Sequence, residues 1–426
     1  MKFSYSAAAL VSQVDLQDRV HALRDDTKRL LTISQQTDYT QPESSLRLPF
    51  DTEILHAVRD VAQSIKTITL QYVVVIGIGG SNLGTQAVYD VVAGSMNLLG
   101  DRLPKLLFLD TVSDEKMTAV TRTLERLPKK EDFAVIVISK SGTTVETIVN
   151  TEILWAFLAE HFGDPRGRFV AITDEGSKLW NQAGEKKILR LSIPAQVGGR
   201  FSVFTAVGLL PLLLAGIDME ELLKGARRAV DDNTQETSNR NTAIVSAIIT
   251  DHHRRALRTI HNSFLFSPKL ETLGKWYRQL VGESLGKDGR GITPIVSIGS
   301  TDLHSQAQLY FAGPDDKMTH LMYSMSGDVN QVPQHLALPG LIQDIQNKSL
   351  EQVMKAIVHG VKTAYEGLKR PYIEIDLQGV GVYELGYYLQ WRMIEVMYLG
   401  ILMEVNAFDQ PQVELYKNHA RKFLKG

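Results

Sequence analysis

The sequence predicts an α/β protein of two doubly wound parallel sheets, each a three-layer α/β/α unit, with helical arms at both ends. Three observations predict it. Short β-branched, apolar runs alternate with longer stretches of helical spacing, which is the βαβ order of a parallel sheet. The alternation comes in two groups, separated by a helical and more polar interval after Ile217. The chain has 426 residues, 44% of them hydrophobic, enough for about two or three domains.

Taken in order, residues 12–33 and 52–68 carry apolar residues at helical spacing. Lys2 is followed only by the short apolar stretch 7–11, too brief for the core of a secretory leader, so the N-terminus is read as uncleaved. Strand-like runs follow at Tyr72–Ile76, 105–110, Phe133–Ile138 and Phe169–Thr173, then at 259–266, Thr293–Ile298, 320–325 and 372–377. The longest apolar run, 206–217, contains Pro211 and is too short to span a bilayer, so it is expected to be a buried helix. The last fifty or so residues read as helix with a break at 406–411. This order divides the chain into a helical arm at 1–50, a first α/β domain at 51–215, a second at 216–405 and a helical segment at 406–426. A net charge of −2 supplies no basic field for nucleic acid or an anionic membrane. The absence of cysteine excludes disulfides, thiolate metal sites and thiol nucleophiles, and is compatible with a reducing cytoplasm.

The organising stretch runs from Phe133 to Thr147: a strand buried on both faces, a hydroxyl-rich loop with Ser139, Ser141, Thr143 and Thr144, and the start of a helix. Such a loop gathers free backbone N–H groups, hydroxyl donors and the positive end of a helix dipole, as a phosphate requires. Alternatively Thr143 is an N-cap completed by Glu146 in a capping box. A second loop of the same construction follows Tyr72–Ile76, with Gly77, Gly79, Gly80, Ser81 and Gly84, and two strand ends aimed at one anion would make a site. A dinucleotide reading of Gly77-Ile78-Gly79 with Asp110 lacks its third glycine, whose place Asn82 takes, and no Walker lysine follows.

Two further segments carry candidate chemistry. Arg200 in Gly198-Gly199-Arg200-Phe201-Ser202 either meets a developing negative charge at a helix entrance or sits on an ordinary surface loop. Gln279 and Glu283, four apart, share a helix face that is either a cleft wall or a solvated surface. Gly282 and Gly286 beside Glu283 suggest a close approach by another segment. No metal-ligand cluster is apparent, since the side chains of His252 and His253 diverge on a helix or strand.

From Tyr72 onward the chain resembles the glucose-6-phosphate isomerases of the shorter bacterial type. GIGGSNLG (77–84), SKSGTTVET (139–147), GGRFS (198–202), QLVGESLGKDG (279–289), STDLHSQAQ (300–308) and FDQPQVELYK (408–417) are similar to that family's signatures and occur in its order. The departure is Pro411-Gln412, where relatives commonly carry a glycine before the valine. The resemblance implies two sugar-isomerase domains and reversible conversion of glucose 6-phosphate to fructose 6-phosphate in the glycolysis and gluconeogenesis of the cytoplasm, with no cofactor and no metal. It implies that Gly80, Ser81, Ser139, Lys140, Ser141 and Thr144 hold the phosphate and that Gln279 contacts a sugar hydroxyl. It assigns Glu283 as the base, Arg200 as the stabiliser of the enediolate, His304 as the ring-opening residue with Lys417 assisting, and Glu146 as the acid that orients His304. It further implies a homodimer in which His304 reaches the neighbouring subunit's site. Two alternatives share the resemblance: an enzyme that also isomerises mannose 6-phosphate, and a non-catalytic sugar-phosphate sensor, which would have lost groups such as Glu283, His304, Arg200 and Lys417.

Overall fold

The computed structural model describes residues 1–5, 7–94, 96–237, 239–324 and 330–424. Among them ten strands form two five-stranded sheets: β1 (Lys2–Ser4), β2 (Tyr72–Ile76), β3 (Lys105–Leu109), β4 (Phe133–Ile138), β5 (Phe169–Thr173), β6 (Leu189–Ser192), β7 (Ile260–Leu265), β8 (Thr293–Ile298), β9 (Lys317–Tyr323) and β10 (Tyr372–Asp376). The first sheet, ordered β3-β2-β4-β5-β6, is wholly parallel. Strands β2, β4 and β5 lack polar alternation because both of their faces are covered. Val73, Val75, Ala134, Ile136 and Ile172 enter one apolar cluster, and Val74, Ile76, Phe133, Val135 and Phe169 enter another.

The second sheet, ordered β1-β10-β9-β7-β8, follows the same plan: β8 joins one side of the founding strand β7, and β9 and β10 extend the other. Its far edge differs. The N-terminal strand β1 adds there antiparallel, Lys2 opposite Asp376 and Ser4 opposite Glu374. The arm expected to be purely helical therefore opens with a strand, and the second sheet is mixed rather than parallel. Strand β6 was not expected either. The 320–325 run begins earlier, at Lys317, and ends at Tyr323; Met325 lies outside the described residues.

The run at 206–217 forms the helix Ala206–Leu214, which packs near β2 and is buried along almost its whole length, as its apolar composition requires. The helix Glu271–Leu285 is tied to the long helix Val382–Met403 by a fully buried polar group. Arg392 Nη1 donates to Glu395 Oε2 at 2.8 Å, Tyr277 Oη donates to the same oxygen at 2.8 Å, and Ser246 donates to Glu395 Oε1. Shared among these partners, the Glu395 charge anchors three helices at one point. No described helix is long and apolar enough to cross a membrane.

The N-terminal segment is also held by His253, whose Nε2 bonds to the Ala9 carbonyl at 2.8 Å while Arg258 Nη1 donates to Nδ1 at 3.3 Å. Burial, with Arg258 and His252 adding to it against the Ala9 bond and Asp315, lowers this imidazole's pKa to about 4. The unfolded chain titrates near the ordinary value of about 6.5, so it binds more protons than the folded one below that pH. Stability should be complete above pH 6.5 or so and decline toward about 4. Thermal unfolding at a series of pH values should show this acid loss, and His253→Gln should lessen it; an unchanged acid slope in the variant would contradict the assignment.

Candidate active site

The two loops that begin at Gly77 and Ser139 leave neighbouring strands, since Ile76 of β2 lies level with Val137 of β4. The chain steps from β2 outward to β3 and then back across to β4, so these loops sit where the strand order reverses. Open parallel sheets bind ligands at the carboxyl ends of their strands at such a point.

In the second loop, Ser139 Oγ lies 2.9 Å from Thr144 Oγ1, and the Thr144 amide donates to Ser139 Oγ at 3.4 Å. Ser141 Oγ accepts the Thr143 amide at 3.4 Å. The amides of Lys140 and Ser141 bond to no other described group, which leaves two donors at the mouth of the helix Val145–Phe162. The capping-box alternative is not realised: Thr144 is the N-cap, and no side chain caps this helix. Lys140 is committed elsewhere. Its ammonium donates to the carbonyls of Ala195 at 2.5 Å and Val197 at 3.0 Å, tying the phosphate loop to the segment that delivers Arg200. Burial draws its pKa below the ordinary value, with Asp174 opposing and the charge of Arg200 adding to the effect.

The first loop meets the Arg200 segment backbone against backbone. A Cβ on Gly80 would lie 2.1 Å from the Gly199 carbonyl carbon and 2.4 Å from the Arg200 nitrogen, so only glycine fits there. Gly79 adopts φ +59°, and its Cα faces the Gln279 amide. Ser202 Oγ donates to the Gly199 carbonyl at 2.7 Å and closes the turn.

Arg200 is 2% exposed, which rules out the surface-loop reading. A guanidinium carries five N–H donors, and all five are engaged. Nε donates to Ser284 Oγ at 2.8 Å; Nη1 to Gln410 Oε1 at 2.7 Å and Glu283 Oε2 at 3.3 Å; Nη2 to the carbonyls of Ala407 at 2.8 Å and Asp409 at 3.1 Å. Burial lowers the guanidinium pKa, and Glu283 and Asp409 oppose it. Glu283 is held by both oxygens, Oε1 accepting from Gln279 Nε2 at 2.9 Å, while its side chain remains a third exposed. Gln279 Oε1 is buried without a partner among the described residues. A carboxylate able to carry a proton thus stands beside a buried fixed cation, next to a pair of strand-end loops.

Other expected residues are not joined to this group within the chain. His304 lies exposed on the short helix Thr301–Ser305 after β8, and the side chains of His304 and Glu146 make no hydrogen bond among the described residues. Lys417 pairs with Glu414 at 2.7 Å on the helix Val413–Phe423. The close approach expected beside Glu283 is absent at Gly282, whose nearest neighbour would be Pro294 at 4.0 Å, but present at Gly286, whose Cα would lie 3.0 Å from a Cβ on Gly291. Among the described residues no three His, Asp or Glu side chains gather as a metal-holding group. The sequence reading gave no role to Ser284, Lys287, Asp409 or Gln410. Their position within two of the quoted motifs was the only signal available.

Residues 52–336 match the phosphoglucose isomerase family. A glucose-6-phosphate isomerase of Rubrobacter xylanophilus is 34% identical over 390 residues, covering 88% of both chains, and one of Thermus thermophilus is 35% identical over 388 residues, covering 89% of both. Among solved structures, a hypothetical protein of Thermus thermophilus superposes with a TM-score of 0.87 at 30% identity over the full length of both chains. A glucose-6-phosphate isomerase of Chlamydia trachomatis shares the fold, with a TM-score of 0.80 at 19% identity, covering 99% of this chain and 88% of that one. The chain belongs to the phosphoglucose isomerase family.

Proposed function

We propose that the chain interconverts glucose 6-phosphate and fructose 6-phosphate through an enediolate, with Glu283 as the acid–base group. The observation that carries this reading is the pairing of Glu283 with the buried Arg200 at 3.3 Å, beside two strand-end loops suited to a phosphate. After ring opening, Glu283 removes the proton from C2 of the open aldose and the electron pair shifts toward the carbonyl oxygen at C1; the hydroxyl proton then passes from O2 to O1, and the same carbon-bound proton returns to C1 as the carbonyl forms at C2. A carboxylate is far too weak a base for a carbon acid unless the oxyanion is stabilised, and each unit of mismatch costs about 1.4 kcal/mol. Arg200 supplies that stabilisation. Its donors are already filled, so a substrate oxygen must replace the 3.3 Å contact with Glu283, the longest of the five. That exchange frees the carboxylate to act. Gln279 Oε1 is placed to accept from a sugar hydroxyl.

The phosphate would take the amides of Lys140 and Ser141, the neighbourhood of Gly80, and the hydroxyls of Ser81, Ser139, Ser141 and Thr144. Lys140 serves this site through its backbone and by fixing the Arg200 segment. We place the protein in the cytoplasm and take it to be a homodimer, in which His304, exposed and with no side-chain hydrogen bond to Glu283 in its own chain, completes the partner's site with Glu146 and Lys417 in supporting roles.

Glu283→Gln keeps the shape and removes the base. Turnover of fructose 6-phosphate should fall by a factor of about a thousand or more, while calorimetric affinity for the sugar phosphate changes by less than about threefold. Substantial residual turnover would exclude Glu283 as the base. Shared sites predict complementation: Glu283→Gln and His304→Ala chains, each inactive, denatured and refolded together in equal amounts, should recover about a quarter of wild-type activity, since half the dimers are mixed and each has one intact site. No recovery with mixed dimers demonstrably present would mean that each subunit carries a complete site.

A further inference from the structure

The Arg200 guanidinium is shaped by a corner of the chain, residues 406–410, that supplies three of its five acceptors, the Ala407 and Asp409 carbonyls and the Gln410 side chain. Little else holds this corner from downstream, because the helix Val413–Phe423 that follows buries none of its side chains. It is held from the end of the helix Glu271–Leu285. Lys287, just past the helix end, has only 10% of its side chain exposed and donates from Nζ to Asp409 Oδ1 at 2.8 Å and to the Asn406 carbonyl. Asn406 Nδ2 donates to Asp409 Oδ2 at 3.0 Å, and Asn406 Oδ1 accepts the Phe408 amide at 3.0 Å, so the corner is a closed knot around one carboxylate. Arg290 adds a second tie, donating to the Met403 carbonyl at 2.6 Å and to Glu404 at 3.0 Å.

We propose that Lys287 and Asp409 are positioning residues: their ion pair locks the 406–410 corner onto the helix that carries Glu283, and so fixes the place of the Arg200 guanidinium and keeps its charge available to the enediolate. The inference rests on the isomerase reading above. Two effects follow from the geometry. Mechanically, Ser284 and Lys287 leave the same helix end and grip Arg200 from two sides, one directly and one through the corner, so Arg200 and Glu283 move as one unit. Electrostatically, the Asp409 carboxylate is near enough to act on Arg200, and among the described residues Lys287 is its only ion-pair partner. Without Lys287 that negative charge, on a side chain 51% exposed, is screened by solvent alone, and what remains of it behind the guanidinium weakens the cation where the oxyanion forms.

The test compares Lys287→Met, Asp409→Asn, the double variant and Lys287→Arg by kcat and KM for fructose 6-phosphate and by melting temperature. Two inhibitors complete it: a phosphorylated five-carbon aldonic acid, whose planar carboxylate imitates the enediolate, and a neutral open-chain alditol phosphate. Lys287→Met should lower kcat and weaken the acid by about tenfold each, with KM and alditol phosphate affinity within about twofold of wild type. The double variant should lose no more than Lys287→Met alone, because the two residues act through one ion pair, and Lys287→Arg should stay close to wild type. Should Lys287→Met not fold, Lys287→Gln, uncharged but still a donor to the Asn406 carbonyl, carries the same expectation. The proposal is overturned if kcat and acid affinity are unchanged, if both inhibitors weaken alike in step with the melting temperature, or if the two single losses simply add. Failure of the wild-type chain to turn over fructose 6-phosphate would instead sink the isomerase reading.

Discussion

A buried guanidinium imposes the central constraint on this structure. Charge taken out of water is tolerated only where every donor is satisfied and a counter-charge is near. Arg200 meets that condition by drawing together three distant pieces of chain: its own loop after β6, the helix end with Glu283 and Ser284, and the corner with Ala407, Asp409 and Gln410. The backbone contact between Gly80 and Gly199 then fixes this assembly against the phosphate loop. Removing any one partner would leave a buried donor unsatisfied, so the same bonds that stabilise the fold also set the electrostatics of the site.

The two sheets share a strand order, yet they contribute differently. The first contributes the switch-point loops proposed to hold the phosphate. The second contributes the edge loop after β8, which carries His304 outward, and the helix that carries Glu283 inward. In the second sheet the N-terminal strand β1 occupies the position that β6 holds in the first, a pairing between residues some 370 apart in sequence. In the proposed mechanism a single founding pattern yields a binding half and a catalytic half, and the buried Glu395 group ties the helix that carries Glu283 to its neighbours.

What the sequence made legible follows burial and period. Strands β2, β4 and β5 are unbroken apolar runs because both faces are covered, and their ends match the expectation. Strand β6 alternates, Leu189-Arg190-Leu191-Ser192, at an edge with one wet face, and β1 is only three residues long, so neither carries a signal that a local window detects. The anion loops were legible because glycine and hydroxyl residues cluster there in sequence. The Arg200 network was not, because its partners lie 83 to 210 residues away and a hydrogen bond across such a distance leaves no spacing to read. Lys140 shows the same limit: its place on the loop was foreseen, whereas its ammonium reaches across to Ala195 and Val197.

The account as a whole stands on a phosphate cradle coupled to a carboxylate and a guanidinium. The most direct measurement is a coupled assay of the wild-type chain, dialysed against a chelator, with fructose 6-phosphate and with unphosphorylated fructose. The account predicts turnover of the ester without added metal, and kcat/KM for fructose lower by about a thousandfold or more, since binding energy from the phosphate is used at the reacting carbons. Comparable turnover of the two sugars, or activity that appears only on adding a divalent metal, would contradict it.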